Sequence, residues 1–194
     1  MPKTWRQSEM SASKGSGARG SAKESEHPKD DPELERMWAA RPGAVSFRDM
    51  SRDEIEAMLA HNRVGRLAFA LYDRVDIQPI HYIYERGWLY GRTSEGSKLA
   101  VLKHNQWIAF EVDEVTELFD WRSIVIHGSF WIMSPRGSPR AEELWAKAAD
   151  LVNRIVPGAL TENDPVPFRQ TLFRIAVSDV RGREATTKVR RTAD

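Results

Sequence analysis

The chain of 194 residues contains no cysteine. That absence excludes disulfides, thiolate metal sites and cysteine nucleophiles, and it suits a reducing compartment. No apolar run approaches the roughly 20 residues a membrane helix needs, so no membrane partner is expected. The polar start Met-Pro-Lys-Thr-Trp-Arg-Gln also lacks the hydrophobic segment of a secretory signal, and the expected location is the cytoplasm. Charge of one sign is missing too. Against 29 basic residues stand 28 acidic ones, which gives no reason to expect nucleic acid or an anionic membrane as a partner. Ser-His-Asp, Cys-His and paired-carboxylate signatures are absent, and with them any residue that can be named as catalytic. His81 and His127 sit in strand-like runs without partners at metal-ligand spacing, so no metal site is expected.

What the chain does contain is a concentrated stretch of anion-binding chemistry. Residues 90–99 read Tyr-Gly-Arg-Thr-Ser-Glu-Gly-Ser-Lys-Leu. Trp88, Leu89 and Tyr90 have the character of a short strand, whereas 98–104 place Leu99, Leu102 and Lys103 at helical spacing. Between them lie Arg92, Thr93, Ser94, Ser97 and Lys98, with Gly96 allowing close backbone approach. A helix opening near Gly96 or Ser97 would aim unsatisfied amides and a positive dipole end at an anion. Lys98 would add a point charge and the hydroxyls would complete the cradle. The alternative is that Ser94 or Ser97 caps the helix and the cations are solvated; the local sequence leaves both open. Gly91 and Gly96 have the separation of P-loop glycines, but that motif continues Gly-Lys-Ser/Thr. Here Gly96 is followed by Ser97 and only then Lys98, so the lysine reaches a different place. A Gly-x-Gly-x-x-Gly dinucleotide fingerprint is also absent.

Composition divides the chain. Residues 1–43 are rich in Ser, Gly, Lys, Glu and Pro and poor in branched apolar residues, so a disordered polar tail is expected there. Leu34, Met37 and Trp38 offer a short docking turn, and 44–47 an arm lying on the domain. The folded domain is expected over 44–184, followed by a polar tail over 185–194. Ser51-Arg-Asp-Glu54 has capping-box spacing ahead of Ile55, Met58 and Leu59 on one helical face. Five β-like runs follow, 64–71, 77–85, 87–92, 107–114 and 121–133, punctuated by Gly, Asp, Pro or Asn. In the fourth, Ile108, Phe110 and Val112 alternate with Trp107, Ala109, Glu111 and Asp113, the mark of a half-buried strand. Ser138 and Pro139 open a second helix with Leu144, Trp145, Ala148, Leu151 and Val152 inward, ended by Pro157 and Gly158. A last strand near 171–180 alternates Phe173, Ile175 and Val177 against Leu172, Arg174 and Ala176. Six strands, few helices and no βαβ rhythm predict a mainly β protein, an antiparallel barrel rather than a doubly wound sheet.

Five motifs in order carry a resemblance. They are Arg63-Val-Gly-Arg-Leu-Ala-Phe, Gln78-Pro-Ile-His-Tyr-Ile-Tyr, Leu89-Tyr-Gly-Arg-Thr-Ser-Glu-Gly-Ser-Lys, Phe110-Glu-Val-Asp-Glu and Trp121-Arg-Ser-Ile-Val-Ile-His-Gly. Together they resemble the pyridoxamine 5′-phosphate oxidase-related flavoproteins, nearest the branch related to nitroimidazole-resistance proteins. The resemblance runs over about 50–184 and includes the closing Phe173-Arg-Ile and Gly182-Arg-Glu. It implies a six-stranded antiparallel split β-barrel that forms a homodimer and holds FMN in a groove between subunits. Thr93, Ser97 and Lys98 would hold the FMN phosphate, with Arg92 or Ser94 assisting. Arg66, Leu67 and Ala68, with Pro79, Ile80 and Tyr82, would line the flavin or ribityl chain. Trp121, Arg122 and Ser123 would reach the groove from the other subunit.

Each of these residues has a structural alternative. Arg66 can pair with Glu111 or Asp113 on a neighbouring strand, and Tyr82 and Trp121 can be core or interface aromatics. Pro79 inside a strand belongs at an edge, a bulge or a ligand-facing break. The C-terminal substrate-binding segment of a true pyridoxamine 5′-phosphate oxidase is not found, because after Arg181-Gly-Arg the chain becomes polar. The implied activity is therefore an FMN-dependent reductase or oxidase of a small molecule, drawing electrons from a nicotinamide cofactor or a cellular reductant. The alternative is a non-catalytic module binding flavin, deazaflavin or haem, with His81 or His127 as an axial ligand.

Overall fold

The computed structural model describes residues 44–187 and the isolated positions 33, 36 and 37. The tail expected over 1–43 and the final residues 188–194 otherwise lie outside the described residues. Within 44–187 the order is β1 (Val45–Asp49), α1 (Arg52–His61), β2 (Val64–Leu71), β3 (Arg74–His81), β4 (Ile83–Glu85), β5 (Trp88–Thr93), α2 (Ser97–His104), β6 (Trp107–Glu117), β7 (Asp120–Ile132), α3 (Pro139–Ile155) and β8 (Thr171–Thr187).

Local chemistry starts two of the helices. At α1 the capping box forms in full: Glu54 N–H donates to Ser51 Oγ at 3.3 Å, and Ser51 N–H donates to Glu54 Oε2 at 2.7 Å. At α3, Ser138 Oγ accepts from Ala141 N–H at 3.3 Å and Pro139 occupies the first turn, where its missing N–H has no intrahelical role.

The strands form one antiparallel sheet in the order β3-β2-β6-β7-β8-β5-β4, with β1 added against β8. β3 and β4 are the two ends of this path, yet Tyr82 alone separates them in the chain. The sheet therefore has to curl until its ends meet at that residue, which makes it a split barrel. Tyr82 N–H donates to Arg63 O at 2.9 Å, and its ring is fully buried edge-on to Phe110, centroids 5.2 Å apart. The barrel core gathers Leu67, Phe110, Ile124, Ile126, Phe173 and Ile175, with Met58 and Leu59 of α1 closing one side. A second cluster lies between α3 and the outer face of β5 and β8, where Ala148, Leu151 and Val152 cover Tyr90 and Leu172. β8 is thus buried on both faces at Leu172 and Phe173.

Eight strands replace the six expected, for two reasons. The 44–47 arm is part of a true strand, paired from Val45↔Thr187 to Asp49↔Arg183, and the 77–85 run is cut in two where the barrel seam passes Tyr82. β8 also continues to Thr187, past the boundary expected at Glu184, because β1 and β7 supply ladder partners that polar composition cannot announce. No helix among the described residues is long and apolar enough to cross a membrane.

Candidate functional site

The site begins with a glycine. A Cβ at Gly91 would lie 2.6 Å from His81 O and 2.4 Å from the Phe173 ring, so only glycine lets β5 close against the end of β3 at the seam. That approach sets Thr93 and Ser94, where β5 ends, beside Pro79 and Ile80 of β3. Together with Lys98 of α2 and Arg169 from the loop before β8, they line a hollow of about 320 Å3.

The start of α2 decides between the two readings of residues 90–99. Its N-cap is Gly96 with φ 153°, and no side chain caps it. Neither Ser94 nor Ser97 accepts from the first-turn amides, and that turn carries no acidic residue. The other two helices of residues 44–187 are each closed by a serine. α2 alone among them leaves its amides and positive dipole end available to an anion.

Two cations reinforce the effect. Burial lowers the pKa of the Lys98 ammonium from its ordinary value, the Arg169 guanidinium pushes it the same way, and Asp76 offsets only part. Lys98 and Arg169 are thus like charges held on one wall without a carboxylate in ion-pair reach among the described residues. An anion between them removes the repulsion.

Arg92 is different. Its guanidinium is buried and clasped by Asp164, with Nη2 to Oδ1 at 2.8 Å and a second bond from Nη1 to Oδ2. It is committed to protein rather than open to a phosphate. Asp164 also accepts from Leu160 N–H and Val166 N–H, both at 2.8 Å. The Arg92 guanidinium, helped by those amides, holds the Asp164 carboxyl well below the usual carboxylate range. This clasp ties down the loop between α3 and β8, and so places Arg169 in the hollow. Sequence analysis missed Asp164 and Arg169, whose segment has no periodicity to mark it.

The remaining expected residues fall into separate groups. Ser97 is exposed and lines a neighbouring hollow with Asp73, Arg74 and Asp76. Leu67 and Tyr82 turn their side chains into the core, so only their main chain can face a ligand. Arg66 is exposed, in register with Pro79 and Glu111, and is bonded to Asp113 with Glu111 3.7 Å away; Ala68 follows on the same outer face. On β7, Trp121 packs on Phe47 with centroids 6.2 Å apart, Arg122 Nε donates to Glu184 at 3.1 Å, and Ser123 Oγ donates to Glu111 at 3.2 Å. His81 lines a recess of about 200 Å3 behind Arg92, while His127 is exposed with Nδ1 3.9 Å from Asp179.

With this geometry in place, the family profile described as pyridoxamine 5′-phosphate oxidase matches residues 51–189. The chain belongs to this family. Uncharacterized protein RA0666 of Rhizobium meliloti (strain 1021) is 25% identical over 146 residues, covering 71% of this chain and 95% of that protein. The FAD-binding protein mll6688 of Mesorhizobium loti superposes with a TM-score of 0.58 at 25% identity, covering 73% of this chain and 98% of its own. A candidate 5-nitroimidazole antibiotic resistance protein of Bacteroides thetaiotaomicron also superposes with a TM-score of 0.58, at 15% identity, covering 74% and 90% of the two chains. The last likeness is one of fold. It agrees with the split barrel described above.

Proposed function

We propose that the protein is a flavoprotein that binds FMN and acts as an oxidoreductase on a small molecule. The observation that carries the proposal is the meeting of Lys98 and Arg169 at the uncapped start of α2, a site that lacks only an anion. A phosphate there takes up the free amides, the two charges and the hydroxyls of Thr93 and Ser94. Pro79 and Ile80, on the same wall, border the path of the ribityl chain, and the exposed row of Arg66 and Ala68 extends it along the sheet. The FAD-binding relative from Mesorhizobium loti supports a flavin. A bound flavin supplies hydride or single-electron chemistry, while the protein orients it and sets the charge around it. No acid or base in the chain is then required.

The outer face of β2, β3, β6 and β7 favours a homodimer with the flavin groove at its interface. In cross-strand register, Ile77, Ala68 and Ala109 form one row of that face. Val64 at 51%, Val75 at 70%, Ile77 at 60% and Trp107 at 64% remain exposed in the single chain. An apolar face of this kind marks an interface, and the position of Trp121, Arg122 and Ser123 on β7 of the same sheet supports the reading that they serve the partner's groove.

The test is the spectrum and bound nucleotide of the purified chain, followed by titration with FMN and mass measurement in solution. Flavin absorption with FMN released on denaturation, from a dimer, is the expected result. A colourless protein that refuses added FMN and FAD would overturn flavin binding; a tight monomeric complex would overturn the shared groove.

A further inference from the structure

A second hollow carries positive charge on a scale that the flavin cradle does not explain. It measures about 610 Å3, within the range of small-molecule sites, and lies between the first turns of α3 and the β4–β5 hairpin. We infer that it binds a phosphate monoester carried on a flat ring, at a site separate from the flavin cradle.

Among the described residues four cations enter it, Arg86, Arg140, Lys147 and Arg174, against the single carboxylate of Glu85. Lys147 Nζ stands 2.6 Å from Glu85 Oε2, out of line for a hydrogen bond but close enough to neutralise it. The three guanidiniums have no carboxylate in ion-pair reach among the described residues. A solvated surface would scatter such charges, whereas Arg174 is held at a ring and Arg86 is set in a tight turn. Arg174 Cζ lies over the Trp88 ring, 4.4 Å from its centroid, a cation–π contact that holds the guanidinium at the ring. Arg86 occupies the hairpin turn at φ 48°, beside Gly87 at φ 80°, a left-handed conformation that an arginine adopts at a cost.

The ring component follows from the walls. Half-buried Trp88 supplies aromatic surface, while Tyr90 is buried beneath α3 and has Lys147 Nζ 5.8 Å from its ring centroid. A flat ring can lie against the Trp88–Arg174 pair while its phosphate meets Arg140 and Arg174. No residue lining this hollow lines the flavin cradle, so the site stands whether or not FMN binds.

The test is calorimetric titration of the full chain with AMP, ribose 5-phosphate and adenosine, with FMN present in excess. AMP is expected to bind, ribose 5-phosphate more weakly, and adenosine weakest. Arg140→Gln, an exposed first-turn change that leaves the fold intact, should weaken AMP several-fold, and Arg140→Gln with Arg174→Gln by about tenfold or more. Lys98→Ala should leave AMP binding within about twofold of the parent, since the cradle is elsewhere. Absence of AMP binding overturns the inference. So does adenosine binding as tightly as AMP, or AMP binding that survives Arg140→Gln and is lost in Lys98→Ala.

Discussion

The cations of the cradle and those along β1, β2 and β7 are the same residue types in opposite states. Arg48 is joined to Glu54 and Glu184, Arg66 to Asp113, and Arg122 to Glu184. Each guanidinium on that side already has a carboxylate, and a further anion would have to compete for it. In the cradle only Arg92 is matched, by Asp164, while Lys98 and Arg169 face each other beside unfilled helix amides. The difference teaches that a ligand site is marked by charge the fold has gathered and left unmatched, rather than by charge as such.

The largest effect should come from emptying the cradle. Lys98→Ala combined with Arg169→Ala removes two charge-assisted contacts and is expected to weaken FMN by about a hundredfold or more, read by flavin fluorescence titration; a loss below fivefold would place the phosphate elsewhere. Next, Asp164→Ala leaves the buried Arg92 cation unmatched and frees the loop that carries Arg169. It should lower the melting temperature by several degrees and weaken FMN about tenfold. Unchanged melting would show that the clasp anchors nothing.

A smaller effect follows from pH. Lys98 has a lowered pKa in the free protein, and a bound phosphate favours its protonated form. Once pH exceeds that lowered value, binding must take up a proton, so affinity falls as pH rises toward the ordinary lysine value of 10.5. FMN titrations across the alkaline range should show this decline, and Lys98→Arg should abolish it; an equal decline in both would remove Lys98 as its source. The smallest effect is expected from Arg66→Gln. Its charge is already matched by Asp113 and solvent-exposed, so FMN affinity should change by about threefold or less. A tenfold loss in that titration would break the contrast between matched and unmatched cations.

Much of this was legible in the chain. The serine caps of α1 and α3, the alternation of Ile108, Phe110 and Val112, and the strand-to-helix junction at residues 90–99 are local patterns, and the structure reproduces them. Asp164 was not legible, because its partner Arg92 is 72 positions away and nothing in 156–170 repeats. The same limit hid β1, whose sequence looks like a loose arm until β8 lies beside it. At Tyr82 the continuous β-like run 77–85 concealed the seam, since the division into β3 and β4 arises only where the sheet's two ends meet.

By itself the amino-acid sequence determined the β-rich class, the order of the strand and helix segments and the donors at the start of α2, because these depend on neighbours within a few positions. Tertiary structure alone decided which donors remain available. Pairing across the barrel matched Arg66 and Arg122, the loop before β8 matched Arg92, and that same loop set Arg169 against Lys98. Whether a charge is free is a property of what the folded chain places within a few ångströms of it.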